Sequence, residues 1–281
     1  MYPKSSLYLW DQRTLYVGEA FDLNSITPAA SILVYCIDGT MKVTAKGSSK
    51  TIVTQSILLP AGLPFNATAD SKRVSICFLD AYGVDFHQCK QFMKNSTDGI
   101  YFDSKEELHH IELLEDIYVK RLPEDVAYKV MVEHFFLRPK GVKQERCVDD
   151  RIVKVVEFIK SNFSENHSNQ YLADIVGMSD VQLRRMFKKT TQIPIRRYRL
   201  WHRLFVTANL MVLGYTLTDA SIAAGFSDSS HFNHVFRSML GINPSFVLKR
   251  AQSICLFAPH INNRLIGEIL NLGGAAVDYS K

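Results

Sequence analysis

The chain is poor in the residue clusters that metal and covalent chemistry require. Its cysteines, Cys36, Cys77, Cys89, Cys147 and Cys255, are odd in number and scattered, with no Cys-x-x-Cys pair. That pattern argues against a disulfide framework or a zinc site and for reduced thiols in a cytoplasm. No histidine occurs before His87, which excludes a metal site built from imidazoles in the first 86 residues. A phosphate-cradling glycine loop, a Gly-x-Ser-x-Gly elbow and a His-Glu-x-x-His pair are all missing. No apolar run approaches the ~18 residues of a membrane span, and Met1-Tyr2-Pro3-Lys4 lacks a signal-peptide pattern. The expectation is a cytoplasmic protein that is not an enzyme, needs no cofactor or metal and contacts no membrane.

What is present is ordinary globular material, 281 residues with 47% hydrophobic and 22% charged side chains, long enough for two domains. The charge is unevenly placed. Residues 149–250 hold 14 Lys/Arg against 8 Asp/Glu, whereas residues 1–148 hold 17 against 18. The positive excess therefore lies in one segment. A basic run is often only a solvated face, but this one coincides with a repeated motif, and phosphate binding is then the better explanation.

The motif runs from Tyr171 to Arg250. A short apolar helix, Leu172-Ala173-Asp174-Ile175, ends near Gly177, which can take the left-handed turn conformation. Ser179 stands where an N-cap is wanted, and a basic helix follows through Lys189. The same plan returns 48 residues later: Leu217 to Ala224, the turn Gly225-Phe226, a cap at Ser227 or Asp228, and a helix from Ser229 to Leu240. Pro194 to Leu213 reads as a long helix between the two units, and Arg151 to Phe163 as a helix ahead of them.

These residues resemble the DNA-binding domain of the AraC/XylS family of transcription regulators. The likeness is carried by Leu172-Ala173, Met178-Ser179, Leu183, Arg185-Met186-Phe187-Lys188, Tyr198, Arg203-Leu204, Gly225-Phe226-Ser227-Asp228, His231-Phe232, Phe236, Gly241 and Pro244. The sequence departs from the family pattern at Gln192, where a glycine is usual, and at Ala220-Ser221, where an Ile-Ala pair is usual. Helical periodicity puts Leu183, Met186 and Phe187 on one face and turns Val181, Arg184, Arg185 and Lys188 away from it. In the second unit Phe232 and Phe236 face inward, leaving Ser229, Ser230, Asn233 and His234 outward. The resemblance assigns base contacts to these outward positions. The expected base-reading set is thus Val181, Arg184, Arg185, Ser229, Ser230, Asn233 and His234. The expected phosphate set is Ser179, Lys188, Lys189, Arg196, Arg197, Arg203 and Arg237.

Residues 7–80 read as closely spaced short strands, with Asp38-Gly39 as a hairpin signal between Ile32–Ile37 and Met41–Ala45. Their order resembles the cupin-like barrel that many AraC-type regulators carry, including Pro60-Ala61-Gly62-Leu63-Pro64-Phe65. Metal-dependent cupins commonly place histidine where Phe65 stands, so a cupin-type enzyme is the weaker reading. Residues 104–138 change to helical period, with Leu108, Ile111, Leu114 and Ile117 or Tyr118 on one stripe and Val126, Val130, His134 and Phe135 on another. Ser104 and Glu107 have capping-box spacing. In the resembled family such a hairpin is where dimers form; plain core packing is the alternative.

The expected fold is α+β: a cupin-like sensor and dimerisation domain over 1–138, a linker over 139–147, a double helix-turn-helix domain over 148–250 and a tail over 251–281 without assigned role. Leu265, Ile266, Ile269 and Leu270 in that tail have the spacing of a short amphipathic helix. The expected function is sequence-specific binding of double-stranded DNA as a transcriptional activator, acting as a homodimer and engaging RNA polymerase. Two control schemes are open, a small ligand in the barrel or a protein partner without any ligand. Tyr35, Phe65 and Phe78 either line a ligand pocket or simply fill the barrel, and Lys42, Lys46, Lys50, Lys72 and Arg73 either favour an anionic ligand or only solubilise the surface.

Overall fold

A computed structural model describes residues 5–79, 84–136, 148–242, 244 and 254–258. The expected linker and the apolar spacing at 265–270 lie outside the described residues.

Nine strands open the chain: β1 (Ser5–Trp10), β2 (Arg13–Glu19), β3 (Leu23–Ile26), β4 (Ser31–Cys36), β5 (Thr40–Ala45), β6 (Ile52–Thr54), β7 (Ser56–Leu59), β8 (Phe65–Asp70) and β9 (Arg73–Leu79). A short helix α1 (Asp85–Gln91), a hairpin of β10 (Met93–Thr97) and β11 (Ile100–Ser104), and helices α2 (Glu107–Lys120) and α3 (Glu124–Phe135) complete the first domain. One sheet has the order β10-β11-β7-β4-β9-β2-β1-β12, where β12 (Ile254–Phe257) arrives from the far end of the chain; the other has the order β3-β8-β5-β6.

Residue parity sorts the large sheet into two faces. Ile32, Val34 and Ile76 point into the barrel interior against Met41, Val43 and Phe65 of the small sheet. Leu33, Tyr35 and Cys77 point the other way, onto a layer made by Ile111, Leu114 and Ile117 of α2 and Ala127, Met131 and Phe135 of α3. Strand β4 is buried along its whole length, which is why its sequence is continuously apolar instead of alternating. The helical hairpin is thus present, but α3 is rotated from the expected stripe: Val126 is 41% exposed while Ala127 and Met131 are buried. The side of the hairpin away from the sheet carries Leu108 at 76% and Val119 at 64% exposure.

Two local expectations change. Asp38-Gly39 joins no hairpin, because β4 pairs with β7 and β9 while β5 pairs with β6 and β8. The chain changes sheets at this corner. The Asp38 carboxylate accepts from Ser71 Oγ and from the backbone N–H groups of Lys72 and Arg73. A Cβ at Gly39 would fall 2.0 Å from the Asp70 carbonyl oxygen, so the corner needs glycine. The capping box is not formed either. Ser104 Oγ accepts from the Glu106 N–H and lies 3.4 Å from His110 Nδ1, while Glu107 accepts from the hydroxyl of Ser56.

The second domain is helical: α4 (Asp150–Ser161), α5 (Asn169–Ile175), α6 (Asp180–Thr191), α7 (Ile195–Val212), α8 (Leu217–Ala223) and α9 (Ser229–Leu240). Its core gathers Ile152, Val155, Leu172, Leu183, Phe187, Tyr198, Leu210 and Phe232, with Ala29 and Ala61 of the first domain joining the same cluster. Among the described residues Cys36, Cys77, Cys89 and Cys255 are free thiols. No described helix is long and apolar enough to cross a membrane.

Candidate nucleic-acid interface and apolar cavity

Both helix-turn-helix units are built from the expected residues. Ser168 caps α5 and Ser179 caps α6, the latter through a reciprocal pair in which Gln182 N–H donates to Ser179 Oγ and Ser179 N–H donates to Gln182 Oε1. A cap of this kind contributes about 1 kcal/mol and fixes where α6 begins. Thr216 caps α8, and Asp228, not Ser227, caps α9 by accepting from His231 N–H at 2.8 Å. At the second turn Gly225 has φ +93°, and a Cβ there would lie 2.8 Å from the Ser164 backbone. Glycine is required on both counts. At the end of α6, Gln192 adopts the left-handed conformation, φ +64°, that a glycine would take there without strain.

Most of the residues expected to face outward do so. Leu183 and Phe187 are buried, while Val181, Arg184, Arg185, Lys188 and Lys189 are exposed on α6. Arg184 Nη2 lies 2.7 Å from Asp180 Oδ2 one turn earlier; Arg185 projects from the next position. Val181, at 66% exposure, offers the apolar contact a thymine methyl can use. On α9, Phe232, Val235 and Met239 are buried, Ser229, Ser230, His234 and Arg237 are exposed and Asn233 is half-buried. Phe236 is only partly covered, because it faces the cavity described below. Arg196 at the start of α7 is exposed.

Two expected phosphate residues are placed elsewhere. Arg203 is 3% exposed. Its guanidinium donates to the carbonyl oxygens of Phe163, Ser164 and Glu165 and to Asn166 Oδ1, with the bond to Phe163 at 2.7 Å. It binds the segment after α4 to α7, and phosphate cannot reach it. Arg197 is half-buried and donates to the carbonyl oxygen of Thr27 in the barrel domain. Ser179 remains at the helix end with its hydroxyl engaged in the cap.

The domains meet along a defined seam. Thr27 N–H donates to the Ser238 carbonyl on α9 at 3.2 Å, and its own carbonyl accepts Arg197 from α7. Lys160 Nζ of α4 stands 3.6 Å from Asp11 Oδ1. Beside this seam lies a cavity of about 200 Å³, walled by Leu7 and Leu9 of β1, Phe78 of β9, Trp201 and Ala208 of α7, and Phe236 of α9. Ile254 and Leu256 of β12 form a further wall. Strand β12 lies parallel to β1, Ser6 opposite Cys255 and Tyr8 opposite Phe257, with the last two rings stacked at 4.5 Å.

Of the three candidate ligand residues only Phe78 lines this cavity. Phe65 is 1% exposed and fills the barrel interior. Tyr35 lies on the opposite face of the sheet, its hydroxyl 2.7 Å from His110 Nδ1 under the helical hairpin. The basic residues at the strand ends, among them Arg73, do not line the cavity; Arg73 pairs with Asp38 and Glu115. The walls contributed by α7, α9 and β12 were missed in the sequence because nothing local indicates that distant segments meet there.

Comparison with known proteins agrees with this architecture. A family model described as a helix-turn-helix domain matches residues 172–250. The HTH-type transcriptional activator RhaS of Enterobacter sp. is 29% identical over 97 residues, 34% of this chain and 35% of that protein. The chain thus matches about a third of that relative's length. The structure of ToxT from Vibrio cholerae superposes with a TM-score of 0.53 at 17% identity, covering 85% of this chain and 97% of that one. A ToxT structure described as bound to an unsaturated fatty acid gives 0.52 at 14%, covering 85% and 96%. These likenesses establish a shared fold over both domains. Residues 172–250 thus match a helix-turn-helix domain, and the barrel ahead of them belongs to the fold shared with ToxT.

Proposed function

We propose that the protein is a cytoplasmic, sequence-specific DNA-binding transcription regulator, an activator that engages RNA polymerase, controlled by a small molecule in the cavity between its domains. The observation that carries this reading is the pair of capped helices on one rigid bridge, α6 presenting Val181, Arg184, Arg185 and Lys188 and α9 presenting Ser229, Ser230, Asn233 and His234. Successive major-groove segments on one face of a duplex lie ~34 Å apart, and a fixed spacer lets one chain read two of them. Lys188, Lys189, Arg196 and Arg237 supply the phosphate contacts. The chain works as a homodimer through the outward face of α2 and α3, where Leu108 and Val119 are exposed.

Control by a small molecule is supported by the position of the cavity. Its walls come from the barrel and from α7 and α9, so an occupant bears directly on α9 and on the helix that connects α6 to it. That a protein of the same fold is described with a fatty acid bound agrees with the reading. Selection of duplexes from a random-sequence pool by the full chain tests the DNA-binding part. Enrichment of sites with two specified segments about one helical turn apart is the expected result. A folded protein that enriches no sequence contradicts it.

A further inference from the structure

We propose that the cavity between barrel and helical domain takes an uncharged, largely apolar small molecule and discriminates against the matching carboxylate. This rests on the effector reading above and goes beyond it by fixing the ligand's chemical class.

The cavity walls are mostly aliphatic and aromatic, Leu7, Leu9, Phe78, Leu204, Phe236 and Leu256 among them. The polar atoms that reach it are few and in part already committed. Tyr16 donates its hydroxyl to the Glu19 carbonyl at 2.8 Å and lies 2.9 Å from Ser5 Oγ. Thr207 Oγ1 donates to the Arg203 carbonyl at 2.8 Å. Thr14 and the Trp201 indole are neutral, and among the described residues no Lys, Arg or His lines the space. Nearby cations are held elsewhere, Arg203 on backbone carbonyls behind α7 and Arg197 on Thr27.

A carboxylate entering such a space gives up its water without a cation or a set of donors to replace it, and it is driven to bind as the neutral acid or not at all. A hydrocarbon body gives up nothing of the kind and gains the walls. The volume, about 200 Å³, exceeds the ~150 Å³ of a dry engineered cavity that accepts benzene. It suits a short aliphatic chain or a small ring system. A single hydroxyl can be accommodated at Thr14 or Trp201.

Trp201 makes the test direct, because the chain has only two tryptophans. Trp10 has its indole N–H buried without a partner, so Trp10→Phe removes no bond and leaves Trp201 as the sole reporter. The full chain carrying Trp10→Phe is titrated with 1-octanol and with octanoate near pH 7.5, following Trp201 emission. The expected result is a saturable shift with octanol and an affinity for octanoate at least about ten-fold weaker, a gap worth ~1.4 kcal/mol. The gap should narrow as pH falls toward the pKa of the acid. Thr14→Lys, which brings an ammonium to the rim, should raise octanoate affinity toward that of octanol. Ala208→Phe, which fills the space, should abolish the octanol response. Octanoate binding the parent as tightly as octanol overturns the proposal, as does an octanol response untouched by Ala208→Phe. If neither probe shifts Trp201, the small-molecule reading itself fails, an outcome distinguishable from a failure of the charge argument alone.

Discussion

The ring of Trp201 packs 5.3 Å from the ring of Phe78, centroid to centroid, at 46°. Helix α7, which joins the two helix-turn-helix units, is therefore in aromatic contact with the barrel, at the wall of the cavity. A ligand that changes this packing acts on the spacing of α6 and α9 without any relay through loops.

Arg203 is a structural residue despite its charge. Arg203→Ala leaves the carbonyls of Phe163, Ser164 and Glu165 without their donor. The loss of a buried, charge-assisted network is expected to cost ~2–4 kcal/mol. Urea denaturation of the variant should show that loss. A variant as stable as the parent but weaker on DNA would restore Arg203 to the phosphate set.

Stability should fall on mild acidification. Burial holds His110 and His202 down to a pKa of about 4, against ~6.5 in the unfolded chain. Glu106, His109 and His134 surround the first, and Lys160, Asp11 and Arg203 the second. Below ~6.5 the unfolded chain takes up protons that the folded chain refuses, so stability is full above that pH and is lost as pH falls toward 4. Between about pH 7.5 and 5 the drop should be on the order of 2 kcal/mol per histidine. His202→Gln should remove its share of the slope. A stability that stays flat over this range contradicts the assignment.

The strand β12 should clasp the barrel. Ser6 and Cys255 are paired in register and share the face of the stacked Tyr8 and Phe257. Ser6→Cys should form a disulfide with Cys255 under mild oxidation, seen as a 6–255 cross-linked peptide in mass spectra. Failure to cross-link, with both thiols reactive, would show that β12 does not dock.

The helix-turn-helix units were legible because their signals are local. Gly177, Ser179 and Asp228 each act within four residues of themselves. Burial in the barrel followed from parity once strand pairing was known, and pairing is where local reading failed. Asp38-Gly39 looks like a hairpin yet turns between sheets, held by Lys72 and Arg73 from a distant corner. Tyr35 was one residue from the correct face, since Val34 points inward. Arg197 and Arg203 carry the same charge as Arg185, and only their partners, 170 and up to 40 residues away in the chain, distinguish them. The clasp by β12 spans nearly the full chain, from Ser5 to Ile254.

The dimer prediction is tested by charge. Leu108 is 76% exposed on α2, so Leu108→Glu should leave folding unchanged while converting dimers to monomers in light scattering at micromolar concentration. A parent protein that is already monomeric there rules out this interface.

On the proposed reading α6 and α9 contact DNA, with α6 supplying most of the affinity. Its face offers Arg184, Arg185 and Lys188, against Ser229, Ser230, Asn233 and His234 with Arg237 on α9. A bidentate arginine–guanine contact is worth ~1–3 kcal/mol. The most direct measurement is the affinity of Arg185→Ala, Ser230→Ala and Asn233→Ala for one selected duplex, at a single salt concentration near pH 7.5. A loss of roughly ten-fold or more is expected for Arg185→Ala and smaller losses for the other two. Equal or larger losses from α9, or an Arg185→Ala variant that binds like the parent, would contradict it.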